Sequence, residues 1–458
     1  DVVLAIRKFQ PDIIINRFDH RTPGTTHGHH TSSAILSFEA FDLANNKSAY
    51  PELLKEAGVW QPKRLFFNTN SWFYRTQKEF DEANKENRIS FDIGTYYPLK
   101  GESNNEMASV ASSQHLSQGF GRLSQRGTQN EYVEFLKGDP LNNNDDIFAG
   151  IDTSWNRIKG GKAIGDIVYE IENNFNFKDP SVHIPRLLEA YKLLQNIEDT
   201  HWKIQKTKEL MSIIEMCSGL YLEASANTPS STLNQTIKIN IEALNRSKTN
   251  VILESISQGD GKLVSRNLEL KNNESEKFDT DYVISTKKNY TSAYWLSNKG
   301  TLGMYSVENK GLIGLPETPR SVKINFNLKI NNTPITFSKD VVYRYSKPDK
   351  GELYRPFEII PEASAKISEK VIIFNNDKQR EIVVTVKAGR DNLDGFVEVC
   401  HPNDWNIFPA KQKVSIAHNG EEQSLTFTVI PPKNQSEGYI SPIVHINDKD
   451  YTKELVEI

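Results

Sequence analysis

An α/β domain with a helical extension, followed by two all-β sandwiches, is the fold class this sequence predicts. Three observations predict it. Residues 1 to about 140 mix helical and strand-like patterns. From Ile164 to Ala226 apolar residues recur at helical spacing, and beyond Thr236 the hydrophobic period switches to two. The 458-residue length suggests about three domains at roughly 150 residues each.

The elements follow in order. Asp1 opens on a helical pattern in which Val2, Val3, Ala5, Ile6 and Phe9 are apolar. Pro11-Asp12 then leads into Ile13-Ile14-Ile15, a β-branched run typical of a buried parallel strand. A helix feeding such a strand normally has a partner strand before it. The chain is therefore expected to begin inside a domain, as an internal piece of a longer protein, and no signal-peptide pattern is visible. Thr31 to Leu43 is a helix candidate, Arg64 to Asn68 and Ile89 to Ile93 read as short strands, and Asn104 to Gln114 reads as a further helix. Ile184 to Leu194 and Trp202 to Leu222 are helical, the second with a buried stripe of Leu210, Ile213, Ile214, Cys217 and Leu220.

Ala226 to Gln235, rich in Thr, Pro and Ser, is the clearest linker. After it, Thr236–Ile241, Val251–Ile256, Val322–Leu328 and Asp340–Tyr345 alternate, separated by Asn and Gly turns. A break at Ser346–Gly351 precedes a second set: Val371–Phe374, Ile382–Val386, Phe396–Cys400, Val414–Ile416 and Leu425–Ile430. Tyr451 to Ile458 ends the chain in a strand-like run. The domains expected from this pattern are residues 1–225, 236–346 and 352–458.

Composition removes several classes of function. A 25% charged fraction with 37% apolar residues is that of a folded globular chain. A net charge of −4 gives no electrostatic reason to expect nucleic acid. No stretch approaches ~18 uninterrupted apolar residues, so no membrane span is expected. Two distant cysteines, Cys217 and Cys400, exclude a disulfide scaffold and a Cys-rich zinc site.

Histidine placement carries the strongest chemical signal. His20, His27, His29 and His30 fall in one stretch, after the Ile13–Ile15 strand and before the Thr31 helix. Ligands of open α/β sheets bind in the crevice beyond the carboxyl ends of strands. His27-Gly28-His29-His30 sets two imidazoles three residues apart, with His30 at a helix start. A helix N-terminus disfavours positive charge, which would keep His30 neutral, the form a metal needs. Imidazole suits Zn²⁺, whose catalytic sites take three protein ligands and a water. A polar loop that happens to be rich in histidine is the plain alternative, and the clustering at this position favours the metal. The general base is left unassigned: Asp19 is close by, and the base can equally lie before Asp1.

These residues also match a known pattern. Gln10-Pro11-Asp12-Ile13-Ile14-Ile15-Asn16-Arg17, then Thr26-His27-Gly28-His29-His30 and the helix Ser33 to Ala44, resemble the PIG-L/LmbE family of zinc-dependent de-N-acetylases, with their strand, His-x-x-His loop and helix. Ser113-Gln114-His115-Leu116-Ser117-Gln118 is similar to the His-x-Ser-Gln segment common in that family. Arg17 to His30 and Ser117-Gln118-Gly119-Phe120-Gly121 resemble its long, multidomain members from bacterial envelope or secreted contexts. The resemblance covers roughly residues 1–225 and implies a partial Rossmann-like domain. It implies His30 as a zinc ligand, and His27 as the group that stabilises the oxyanion or protonates the leaving amine. Arg17, His115 and Gln118 are implied as substrate-binding residues. The family's other ligands and its general-base aspartate sit in a His-Pro-Asp-Asp type motif after the first strand. No such motif precedes Asp1, so those groups are expected to be missing from this chain. Many members have Asp where His29 stands here.

His401-Pro402-Asn403-Asp404 superficially matches the missing motif. It follows a strand in the last β-rich region with no helix behind it, so it reads as a turn. Asp404-Trp405-Asn406-Ile407-Phe408-Pro409 instead resembles the Trp-x-x-x-Pro turn of a sandwich module often attached to α-galactosidases, which implies an Ig-like accessory domain. Gly119-Phe120-Gly121 lacks a preceding buried strand and does not read as a nucleotide loop. His183, His201, His418 and His445 read as surface or structural residues. Trp72, Phe73 and Tyr74 suit either a sugar-stacking platform or core packing, with packing favoured.

The function expected is a zinc-dependent hydrolase that removes the N-acetyl group from an amino sugar or its glycoconjugate, with its active site incomplete in this chain. A secreted, periplasmic or envelope location in a bacterium goes with it. A metallo-β-lactamase-like hydrolase is weaker, because His30 and Thr31 stand where an Asp-His pair would follow His29. The non-enzymatic alternative is an envelope or carbohydrate-binding protein whose sandwiches do the work.

Overall fold

The computed structural model describes residues 1–83, 85–141, 146–258 and 261–457. The chain mixes helices with β-sheets that are mostly antiparallel, and it divides into two compact units. The first is Asp1–Arg157 with Thr301–Pro316; the second is Ile158–Gly300 with Glu317–Ile458. The helices after Ile158 thus belong with the β-rich unit, whereas the sequence pattern grouped them with the first domain.

The first unit contains α1 (Val2–Phe9), β1 (Ile13–Asn16), α2 (Gly28–Leu43), β2 (Arg64–Thr69), α3 (Gln77–Glu82) and β3 (Arg88–Asp92). After them come the short pair β4 (Tyr96–Tyr97) and β5 (Glu102–Ser103), α4 (Asn104–Ser113) and β6 (Asn130–Gly138). The main sheet runs β1-β2-β6-β3. β1 pairs parallel with β2, whereas β6 is antiparallel to both β2 and β3, so this is a mixed sheet with one parallel pair. β2 lies centrally and buries Leu65, Phe66 and Phe67. β1 is not the buried strand its three isoleucines suggested: Ile15 is 47% exposed.

α1 packs on α2 through Val3 and Ile6 against Ala40 and Ala44, small residues that let the two backbones approach. Arg7 secures the far end of α2. Its guanidinium is fully buried and donates to the carbonyls of Ala44 (3.0 Å), Asn46 (2.8 Å), Ala49 (2.9 Å), Leu43 and Tyr50. Carbonyls at a helix C-terminus lack intrahelical donors, and Arg7 supplies them.

The second unit begins with α5 (Lys162–Asn173), α6 (Ile184–Leu194) and α7 (Thr200–Cys217). α7 buries Leu210, Ile214 and Cys217, and Leu220 is buried beyond it, but Ile213 is 40% exposed. The helix also stops five residues short of Leu222. Gly219 takes φ +58, Leu220 N donates to Glu215 O and Gly219 N to Met216 O, the paired bonds of a Schellman cap. Released from the helix, Tyr221–Ala226 forms β7.

The first sandwich comprises β7, β8 (Ser230–Ser231), β9 (Thr236–Leu244), β10 (Val251–Gln258), β11 (Gly261–Glu269), β12 (Ser275–Val283), β13 (Lys323–Ile330), β14 (Thr333–Asp340), β15 (Val342–Lys347), β16 (Gly351–Pro356) and β17 (Glu358–Ile359). Its sheets run β11-β10-β13-β14 and β12-β9-β7-β15-β16. Inward residues alternate along each strand, as in Ile237, Ile239, Ile241 and Ala243 of β9 or Ile324, Phe326, Leu328 and Ile330 of β13. The Ser346–Gly351 break is the turn of the β15–β16 hairpin, in which Lys347 pairs with Gly351. The sandwich therefore extends past both expected limits, from β7 to β17.

The second sandwich comprises β18 (Ala363–Ile367), β19 (Arg380–Ala388), β20 (Leu393–Cys400), β21 (Asn406–Phe408), β22 (Lys411–Ile416), β23 (Glu422–Ile430), β24 (Ser441–Ile446) and β25 (Lys449–Tyr451). Its sheets are β18-β19-β23-β21 and β22-β20-β24-β25, around a core that includes Val384, Val397, Phe427 and Val444. Val371–Phe374, expected as a strand, is irregular; Val371 and Ile373 face solvent while Ile372 and Phe374 pack on the core. The terminal strand ends at Tyr451, and Ile458 lies outside the described residues.

Candidate functional site

The histidines sit where β1 hands over to α2. His27 is the N-cap of α2, with extended backbone angles, and its carbonyl accepts from His30 N at 2.9 Å. That turn brings three imidazoles together. The ring centres of His27 and His30 are 5.5 Å apart, those of His27 and His29 5.7 Å, and those of His29 and His30 4.0 Å. His27 and His29 are exposed, whereas His30 is half-buried and stacks on Phe18 at 3.9 Å. Asn16, Arg17, Phe18, His30, Ser33 and Ala34 line a small recess of about 170 Å³. Asn16, the buried last residue of β1, donates to Ala34 O at 3.4 Å and ties the strand to the helix.

His30 has its pKa lowered, first by loss of water and then by the neighbouring His29 and His27. The neutral form expected from a helix N-terminus is thus favoured by different causes. His20 is also held low, chiefly by burial, with the positive charges of Arg21 and Lys137 adding to it against Asp19 and Glu134. It does not join the other three. Its ring lies flat on Phe38 at 4.1 Å, and its Nδ1 is buried without a hydrogen bond.

Asp19 is likewise committed elsewhere. It accepts from Arg21 Nε at 2.8 Å, and the same guanidinium grips the buried Glu134 of β6 with bonds of 2.7 and 2.9 Å. The two carboxylates push the Arg21 pKa up from an already high value. Together they fasten the loop between β1 and α2 to the sheet. Nothing in the sequence pattern singled out Glu134, because an acid in an alternating strand reads as solvent-facing.

The other expected substrate groups lie apart from one another. Arg17 lines the recess beside His30 and donates to Asn68 of β2. His115 and Gln118 are exposed on the short turn after α4, where His115 lies 6.0 Å from the ring of Phe120 and Gln118 contacts Ser117. Trp72 was expected in the core, yet it is 70% exposed. It stands edge-on to Phe73, which packs on Phe67 and Phe18, so an aromatic path runs from Trp72 to the Phe18–His30 stack.

The fit to zinc is partial. His27, His29 and His30 offer imidazole nitrogens, but among the described residues no carboxylate joins them. Among the described residues no group of three or more His, Cys, Asp or Glu side chains is arranged to hold a metal ion. Among the described residues, too, no helix is long and apolar enough to cross a membrane.

No family model and no curated protein matches the chain. Among solved structures the chain is similar to a protein of unknown function from Porphyromonas gingivalis W83. The match has 10% identity and a TM-score of 0.16, over 52% of this chain and 99% of that one, a likeness too slight to speak to fold or function.

Proposed function

We propose that the first unit carries part of the active site of a PIG-L/LmbE-like de-N-acetylase acting on an N-acetylated amino sugar or its glycoconjugate. The observation that carries this reading is the pairing of His27 and His30 at the start of α2, directly after β1 and beside a recess. In this reading the sheet is a partial Rossmann-like one, with the site beyond the carboxyl end of β1.

Each residue then has a distinct task. His30, held neutral, offers a ring nitrogen as a ligand. His27, at the mouth of the helix, places a ring N–H against the amide oxygen as negative charge develops there. Arg17 lines the same recess and binds the sugar or its substituents, and the exposed face of Trp72 suits a sugar ring. His115 and Gln118 are proposed to complete the substrate contacts. The reading takes Zn²⁺ from the family resemblance, and the described residues do not by themselves complete its ligand set. A secreted, periplasmic or envelope location suits a two-cysteine chain with sandwich modules.

Release of primary amine from N-acetylglucosamine and its oligosaccharides, with Zn²⁺ supplied, tests the proposal. Amine release that disappears on adding a chelator supports it. A native rate of amine release in His30→Ala overturns it.

A further inference from the structure

The second sandwich has an opening into its own core. A cleft of about 800 Å³ lies between the irregular 368–378 segment and the loop before β24, with Ala365 of β18 and Val429 of β23 on its floor. That volume is within the range of small-molecule sites, about 300–1,000 Å³. Its walls carry three aromatic rings. Phe374 meets Trp405 edge-on at 5.2 Å, and Tyr439 stands 91% exposed at the rim.

The walls are built rather than loose. Trp405 Nε1 donates to Ser436 Oγ, which in turn donates to Asp404 at 2.9 Å, fixing the indole plane and the loop together. Gly438 presses on the turn that carries Trp405: a side chain there would come within 2.5 Å of the Pro402 ring. The cleft is preformed, which lowers the cost of filling it.

Charge narrows the ligand. Lys370 is spent on Glu454 at 2.5 Å, and Glu369 on Arg380 at 3.3 Å. Lys366 and Glu437 remain without partners among the described residues, one of each sign. The lining therefore has no surplus charge to attract an anion or a cation, but it keeps one unspent donor, Lys366, and one unspent carboxylate acceptor, Glu437. A ligand with apolar C–H faces and many neutral hydroxyl groups satisfies both halves of this surface: the rings take the faces, the charged groups take the hydroxyls. We propose that this cleft is a saccharide-binding site for a neutral glycan lying across Trp405 and Tyr439. It is independent of the histidine cluster and of whether that cluster hydrolyses anything.

Titration of the full chain with cellotetraose and maltotetraose, neutral glycans without the N-acetyl group that the histidine site is proposed to recognise, followed by calorimetry and tryptophan fluorescence, tests the site against tetragalacturonate as the anionic control. Saturable binding of at least one neutral chain, with none of the anionic one, is expected. Tyr439→Ala removes a ring with no packing role and should weaken binding about tenfold. Glu437→Gln should weaken it a few-fold. Failure of both neutral chains to bind, equal affinity in Tyr439→Ala, or preference for the anionic chain would overturn the proposal.

Discussion

His30 and His20 share one loop and lose protons for related reasons. His30 gives up water to the Phe18 stack and has two imidazoles beside it, whereas His20 lies on Phe38 near Arg21 and Lys137. Both pKa values fall below the ordinary 6.5, so between those lowered values and 6.5 the unfolded chain binds more protons than the folded one. Stability therefore rises with pH through that window and drops on acidification. His20→Phe keeps the stacking and deletes the titration. It should flatten the fall of the urea midpoint on acidification below the ordinary histidine value of 6.5; an unchanged fall would show that His20 is not its source. At this scale the four clustered histidines were legible, but their division was not. Ring stacking on Phe18 and Phe38 separates His30 from His20, and no spacing rule encodes which aromatic a loop histidine finds.

Helix α2 has to hold its first turn still for His27 and His30 to work together, and Arg7 holds its other end. Arg7→Met fills a similar volume and leaves buried carbonyls without donors. It should cost about 3 kcal/mol of unfolding free energy in urea titrations; a loss below about 0.5 kcal/mol would mean that water or neighbouring groups replace the guanidinium. Regular elements were read well where period and turn chemistry agreed: Ile184–Leu194 matches α6 residue for residue. They were misread where one residue overrode the period. Gly219 ends α7 although Leu220 and Leu222 continue its apolar spacing, and the left-handed conformation that only glycine adopts cheaply is what decides. β18, built on Ala363, Ser364 and Ala365, carries too little apolar bulk to register as a strand, while bulky Val371 and Ile373 lie in an irregular segment.

Taken as a whole, the molecule's α and β content and its two sandwiches follow from the switch of hydrophobic period, but the boundaries do not. β7 lies between β9 and β15 in the larger sheet of the first sandwich, so the linker expected at Ala226–Gln235 runs between strands of one sandwich. A polypeptide begun at Thr236 would lack that strand and should aggregate or show a broad, weakly cooperative melt. One begun at Ile158 keeps β7 and should melt cooperatively. Equal cooperativity of the two would contradict the assignment of β7. The central claim concerns function: that the His27–His30 pair belongs to an amide-hydrolysing centre and is not a surface cluster. The most direct measurement is the rate of amine release from an N-acetylglucosamine oligosaccharide, with Zn²⁺ supplied, for the native protein and its His30→Ala, His27→Ala and His29→Ala variants. Losses of at least about 100-fold in the first two are predicted, with His29→Ala within a few-fold of native. Native rates in His30→Ala would contradict the account.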